Sequence, residues 1–268
     1  MKLQYASGLM IHTHRCWKVS NYLRPVAKNL ALLGNTGRPS AETTINFLRD
    51  VADKYEHVYM VFGPEELSAA AGQSFYDNIQ QFREIRLQYN LKNLHFVMNC
   101  ASFKESDTTI VGNTLWSSSY CSKKHSQINL FPGVELDHTR LEDWAEEDEE
   151  DLIDTLHTNR GVQTIVLTYS LCSSALFGEK ALAETCRHTW LHPMVKPHYV
   201  KAWLCGASPS SVTGMEYNTF IGVNNFNAPN YRGDAFIEID TTDPPSQAPR
   251  YYDSFQRSLL KVAPQLLC

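Results

Sequence analysis

Short apolar runs alternate along this chain with stretches whose apolar residues recur at helical spacing. The runs Leu3–Ser7, Leu30–Leu33, His57–Phe62, Leu94–Met98, Thr109–Gly112, Thr164–Thr168, Lys201–Cys205, Asn218–Val223 and Ala235–Ile239 predict strands. Between them, Ser40–Tyr55, Ser74–Tyr89, Leu141–Thr158 and roughly Glu179–His188 predict helices. The first follows Pro39 and carries Ile45, Leu48 and Val51 as one apolar stripe. Strands separated by helices in the first half predict a parallel sheet built from βαβ units. The second half has more strands than helices and predicts a mixed sheet.

Several predicted strands stop at small or turn-forming residues: Gly34-Asn35-Thr36-Gly37, Gly63-Pro64, Gly112-Asn113-Thr114 and Gly206-Ala207-Ser208-Pro209. In open α/β sheets the loops at the carboxyl ends of strands build the site. One rim of loops is therefore expected to carry whatever chemistry the protein has. Thr241–Pro249 is polar and proline-rich and reads as a linker, and Tyr251–Leu266 reads as a short amphipathic helix packing back on the body. The expected division is one domain over residues 1–240 and a linker with a short C-terminal extension over 241–268.

Composition changes this picture little. A chain of 268 residues with 43% hydrophobic content is long enough for one large domain or two small ones. A formal net charge of −5 gives no basic face for nucleic acid. Acidic residues fill eight of the ten positions from Glu142 to Asp151, a run expected to be a solvated helix start. Seven cysteines lie singly with no CxxC pair, which fits free thiols in a reducing compartment. No apolar stretch is long enough to span a bilayer. A soluble cytoplasmic protein is the expectation.

The order of the strand-end loops resembles that of the calcineurin-like metallophosphoesterases. In that family Asp-x-His, Gly-Asp-x-Gly, Gly-Asn-His-Glu, a His and Gly-His-x-His follow successive strands. Here Leu3–Ser7, Leu32–Gly37, Val61–Glu66, Ile165–Ser170 and Trp203–Pro209 are similar in framework, and Val111–Ser117 is similar to the family's Gly-x-Thr-Leu-Trp-Ser. The likeness covers roughly Leu3 to Asp240. It implies a four-layer αββα sandwich, with two mixed sheets face to face and helices outside. It also implies two divalent metals at the rim and a metal-bound hydroxide attacking a phosphate ester.

The residues at the ligand positions depart from that pattern. The Asp and His of the first motif fall on Gly8 and Met10, and the bridging Asp falls on Asn35. The Asn and His of the third fall on Pro64 and Glu65, the fourth His on Tyr169 or Ser170, and the last pair on Ala207 and Pro209. Two dications about 3.5–4 Å apart need bridging carboxylate to offset their repulsion. A neutral amide and one carboxylate do not supply it, so no metal and no cofactor is expected.

Three places could carry rebuilt chemistry. His12 and His14 alternate along one loop, which would put both rings on one side with Glu65 or Glu66 as a third ligand. Cys172 or Cys205 could meet one of those histidines as a nucleophile. Backbone amides of Gly34–Gly37 with Arg38 could cradle a phosphate. Phe226, Tyr231, Tyr251 and Tyr252 read as packing. The leading expectation is an inactive metallophosphoesterase-like protein with a structural or protein-interaction role in a larger assembly, virus particles being one such setting. The alternatives are a metal-dependent phosphoesterase with a rebuilt site and a non-catalytic phosphate- or nucleotide-binding module.

Overall fold

A computed structural model describes residues 1–68, 73–116, 129–131, 134–135, 138–172, 200–206, 208, 211–216, 219–240 and 249–252. The first half runs β1 (Lys2–Ala6), β2 (Asn29–Leu33), α1 (Glu42–Lys54), β3 (His57–Val61), α2 (Pro64–Leu67), α3 (Phe75–Gln88), β4 (Leu94–Val97), β5 (Ser102–Glu105) and β6 (Thr108–Asn113). A hairpin of β7 (Asn129–Phe131) and β8 (Val134–Glu135) precedes α4 (His138–Thr158). Then come β9 (Gln163–Thr168), β10 (Val200–Cys205), β11 (Val212–Glu216), β12 (Thr219–Val223), β13 (Phe236–Glu238) and β14 (Arg250–Tyr252).

Two six-stranded sheets form, ordered β14-β13-β1-β2-β3-β4 and β11-β12-β10-β9-β6-β5. In the first, β1 to β4 are parallel, and β13 and β14 continue it antiparallel. In the second, β12, β10, β9 and β6 are parallel and the two edges are antiparallel. Alternation along each strand sorts the side chains. Ala31 and Leu33 of β2 meet Ile165, Leu167, Ala202 and Leu204 in the core between the sheets. Leu30 and Leu32 of the same strand face outward against Phe47, Leu48 and Val51 of α1 and Ile79 and Phe82 of α3. Trp203 and Cys205 of β10 face the other way, with Leu152 and Leu156 of α4 in their cluster. Covering both faces of both sheets explains why β2 reads as a continuous apolar run. The result is the expected αββα sandwich.

α3 starts with a reciprocal cap. The Ser74 hydroxyl accepts from the Asp77 amide at 3.3 Å, and the Asp77 carboxylate accepts from the Ser74 amide at 2.7 Å.

Three readings change. β5, β11 and the β7–β8 hairpin were not expected; β5 is half exposed and polar (Ser-Phe-Lys-Glu), which hides a strand in the pattern. Arg250–Tyr252 is a strand where a helix was expected from Tyr251, because β13 offers an edge on which Tyr251 pairs with Ile237 and its ring stacks on Phe220 at 5.5 Å. The acidic run lies inside α4 and not all of it is solvated: Glu149 is buried, and Asp148 turns in to hold the end of β6. The predicted helix at Glu179–His188, residues 241–248 and residues 253–268 lie outside the described residues. Among the described residues no helix is long and apolar enough to cross a membrane.

Candidate functional site

The loops after β1, β2, β3, β6, β9 and β10 converge on one rim. After β2 the chain turns through Gly34 and Asn35, both in the left-handed region at φ +78° and +53°. Only glycine takes the first of these without strain, and a Cβ there would stand 2.5 Å from the Tyr169 ring. The turn points three successive amides at one carboxylate. Glu66, the second glutamate after β3, accepts from Asn35 at 2.9 Å, Thr36 at 2.5 Å and Gly37 at 3.1 Å, and from Gly63 at 2.8 Å. Its side chain has no exposure. Burial pushes its carboxyl up to about 7 against the pull of the four amides.

Asn35 fills the remaining space between the two sheets. Its side-chain amide donates to the Tyr169 hydroxyl at 3.0 Å, and its carbonyl oxygen accepts from the Glu65 backbone amide at 3.1 Å. The Tyr169 ring lies over both Gly34 and Gly63. Closer in, the Ser7 hydroxyl donates to the Gly206 carbonyl at 2.9 Å, and the Gly206 amide donates to the Tyr169 carbonyl at 3.0 Å. A Cβ on Gly206 would fall 1.7 Å from the Leu33 carbonyl oxygen, so the two sheets touch backbone to backbone here.

Glu65 faces outward from this plug. Its carboxylate lies 3.4 Å from His12 Nε2 and 3.2 Å from Arg38 Nε. The hydrogen bond from His12, then the charge of Arg38, hold it below the usual carboxylate range. Met10 is half-buried at φ +49°, with its amide donating to the Asn35 carbonyl at 2.9 Å. Pro64 opens α2 and is buried. The Ser170 amide donates to the Thr114 carbonyl at 3.1 Å. Asp148 pins the β6 end, accepting from Asn113 at 2.8 Å and from the Trp116 amide at 3.1 Å. Burial pushes that carboxyl up to about 7. Gly8 is held by the loop after β12: Asn227 donates to its carbonyl at 2.8 Å, and a Cβ on it would meet Asn225 at 2.4 Å.

The structure brings Asn35, Glu65, His12, Arg38 and Tyr169 to the same rim. Ala207 and Pro209 lie outside the described residues. His14 does not join His12. A single turn of 3-10 helix at Ile11–Thr13 breaks the alternation, and the His14 ring instead packs on Tyr22 and Phe226 at 5.6 and 5.9 Å. Phe226 packs with Tyr231, whereas Tyr251 belongs to the other edge of the first sheet. Cys172 and Cys205 are buried with sulfurs 3.6 Å apart, on the α4 side of the second sheet and not beside His12. The phosphate cradle does not form: the amides of Asn35, Thr36 and Gly37 are spent on Glu66, a carboxyl group the chain supplies itself.

A metal pair fits these residues poorly. Both polar atoms of Asn35 are engaged, Glu66 is saturated by amides, and Glu65 already faces a guanidinium. Among the described residues no group of three or more His, Cys, Asp or Glu is placed to hold a metal ion. Sequence reasoning missed the part played by Glu66. The signal was present, since Gly63 and Glu66 match the first and last positions of the Gly-Asn-His-Glu motif.

No protein-family model matches this sequence. No curated protein matches it either. Solved structures do. Phosphopantetheinyl hydrolase from Mycobacterium tuberculosis superposes with a TM-score of 0.58 at 14% identity, over 85% of this chain and 90% of that one. A putative 5'-nucleotidase from Staphylococcus aureus, solved in complex with alpha-ketoglutarate, gives 0.52 at 9% identity, over 94% of this chain and 53% of that one. Both have metallophosphoesterase-like folds, and at these identities the likeness is one of fold.

Proposed function

We propose that this chain is a catalytically inactive metallophosphoesterase-like protein that acts as a structural or protein-interaction component of a larger assembly. The observation that supports this reading is the closed plug at the rim, in which Asn35 bridges Tyr169 and the Glu65 amide while Glu66 takes four backbone amides. The groups that would otherwise face a metal or a phosphate are satisfied within the protein. A neutral rim also offers little to a phosphate, which needs convergent donors and positive charge, and Arg38 is partly neutralised by Glu65. Loop residues free of catalytic duty can instead take part in burial against a protein.

Two measurements test this. Purified protein assayed with p-nitrophenyl phosphate and bis-p-nitrophenyl phosphate in the presence of Mn²⁺ is expected to give no turnover above background. Turnover that Glu65→Ala removes would overturn the inactive reading. Cross-linking in the native setting is expected to place a partner protein over the loops after β1, β2 and β3; a rim that cross-links to nothing would count against the assembly role.

A further inference from the structure

A second feature lies away from the rim, on the flank of the sandwich where β4 ends the first sheet. Among the described strands β4 pairs only with β3. The Val58 amide donates to the Asn93 carbonyl at 2.8 Å, which sets the phase of the ladder. In a parallel pair the bonding groups alternate residue by residue. Asn93, His95 and Val97 therefore turn their backbone groups to β3, and Leu94 and Phe96 turn theirs outward. The Leu94 amide is taken by the Leu91 carbonyl. Leu94 is buried at 1% exposure, so among the described residues the edge offers the amide and carbonyl of half-buried Phe96.

A groove of about 500 Å³ runs beside this edge, walled by Arg83, Arg86 and Leu87 of α3 and by Phe103 of β5, with His95 and Phe96 lining its base. Neither arginine has an ion-pair partner among the described residues. The Arg86 Nε is buried with no hydrogen-bond partner, and Leu87 is 75% exposed. The base is rigid. His95 stacks on Tyr59 at 5.3 Å and shares a hydrogen bond of 3.1 Å with His57, whose other nitrogen lies 3.5 Å from Glu105 of β5.

A strand laid against β4 would alternate as β4 does. One set of its side chains would face α3 and its two arginines, and the other would face Phe103 in the opposite sheet. Two copies of this chain paired through β4 would bring four arginines together, so charge disfavours a second copy. We propose that the groove along β4 binds an extended segment of a partner protein, added as a strand to β4, with carboxylates at alternate positions meeting Arg83 and Arg86. This site shares no residue with the rim and stands independently of the function proposed above.

The probe is a fluorescein-labelled Val-Glu-Val-Glu-Val-Glu-Val peptide, titrated against the whole chain and read by anisotropy. Saturable binding is expected, at least about tenfold tighter than for the matched Val-Lys peptide, with the preference reversed in the Arg83→Glu/Arg86→Glu double variant. N-methylating one alternate set of peptide amides should abolish binding and methylating the other should not, because only one set can face β4. The Phe96 amide should exchange more slowly in the complex. Absence of saturable binding up to about 1 mM would overturn the proposal. So would indifference to which amide set is methylated, or a concentration-dependent dimer that protects Phe96 without peptide. Arg83 is exposed and Arg86 is half-buried; an unchanged melting temperature confirms that the double variant is folded, and if it is not, Arg83→Glu alone should still weaken binding of the Val-Glu peptide, with no change counting against the proposal.

Discussion

Asn35 and Tyr169 join the two sheets through one hydrogen bond, 3.0 Å from the side-chain amide after β2 to the hydroxyl after β9. Tyr169 is buried, and its ring rests where the chain has only Gly34 and Gly63 beneath it.

Tyr169→Phe keeps the ring on both glycines and removes only the hydroxyl. The Asn35 amide then loses its acceptor in a half-buried place, at a cost of about 1 kcal/mol. For a chain of this size that is a fall of about 2–4 °C in melting temperature, measurable by thermal unfolding. An unchanged value would show that water replaces the hydroxyl without loss.

Glu66 makes stability depend on pH in a definite direction. Its folded carboxyl is raised from 4.5 to about 7 by burial. Between those values the folded protein holds a proton that the unfolded chain has released, so protonation favours folding. The contribution is complete below about pH 4.5 and is lost as pH rises through about 7, about 3 kcal/mol in all. Asp148 and Glu149, also raised to about 7, act in the same sense. Urea unfolding at pH 5 and pH 8 should show the wild type weakening at the higher pH and Glu66→Gln weakening less. The opposite slope difference would mean that the four amides outweigh burial and that Glu66 is ionised.

The strands of the core were legible because each is covered on two faces and therefore reads as a block of apolar residues. β5 and β11 were not legible: they are edge strands with polar, partly exposed residues, each the outer arm of a hairpin with the strand that follows it, so neither carries the apolar block of a core strand. At the rim, loop order placed Asn35, Glu65 and Tyr169 together. The route taken by His14 depended on a 3-10 turn that alternation cannot reveal. The work of Glu66 was hidden for another reason. Its sequence position offered it as a candidate ligand, and that it instead takes three amides is a property of the Gly34-Asn35 backbone turn.

Gly206 should tolerate no side chain. A Cβ would stand 1.7 Å from the Leu33 carbonyl oxygen and 3.2 Å from the Ser7 Cβ, and neither belongs to a flexible group that can move away. Gly206→Ala must part the sheets or distort β2, at a cost of more than about 4 kcal/mol. Gly161→Ala is the control. Nothing lies within 4 Å of its Cβ, and the only penalty is the backbone angle of +88°, worth about 1–2 kcal/mol. Chemical unfolding of both variants should separate them clearly, and equal losses would refute the close approach of the sheets.

The fold should be indifferent to divalent metal. An ion stabilises a protein only by binding the native form more tightly than the unfolded one. At this rim the loops are tied by Glu66, by the Asn35–Tyr169 bond and by the Ser7–Gly206 bond, none of which needs an ion. EDTA is expected to leave the melting temperature unchanged, and millimolar Mn²⁺ should not raise it. Placing a carboxylate after β2 by Asn35→Asp should not reverse this. An aspartate can no longer donate to Tyr169, it stands beside Glu65, and the counter-charge available to it is an arginine rather than a second ligand. The variant is expected to lose about 1 kcal/mol and to remain without Mn²⁺-dependent turnover. If Mn²⁺ raised the melting temperature of wild type by several degrees, and Glu65→Ala removed the effect, the rim would hold a metal after all and the inactive reading would fail.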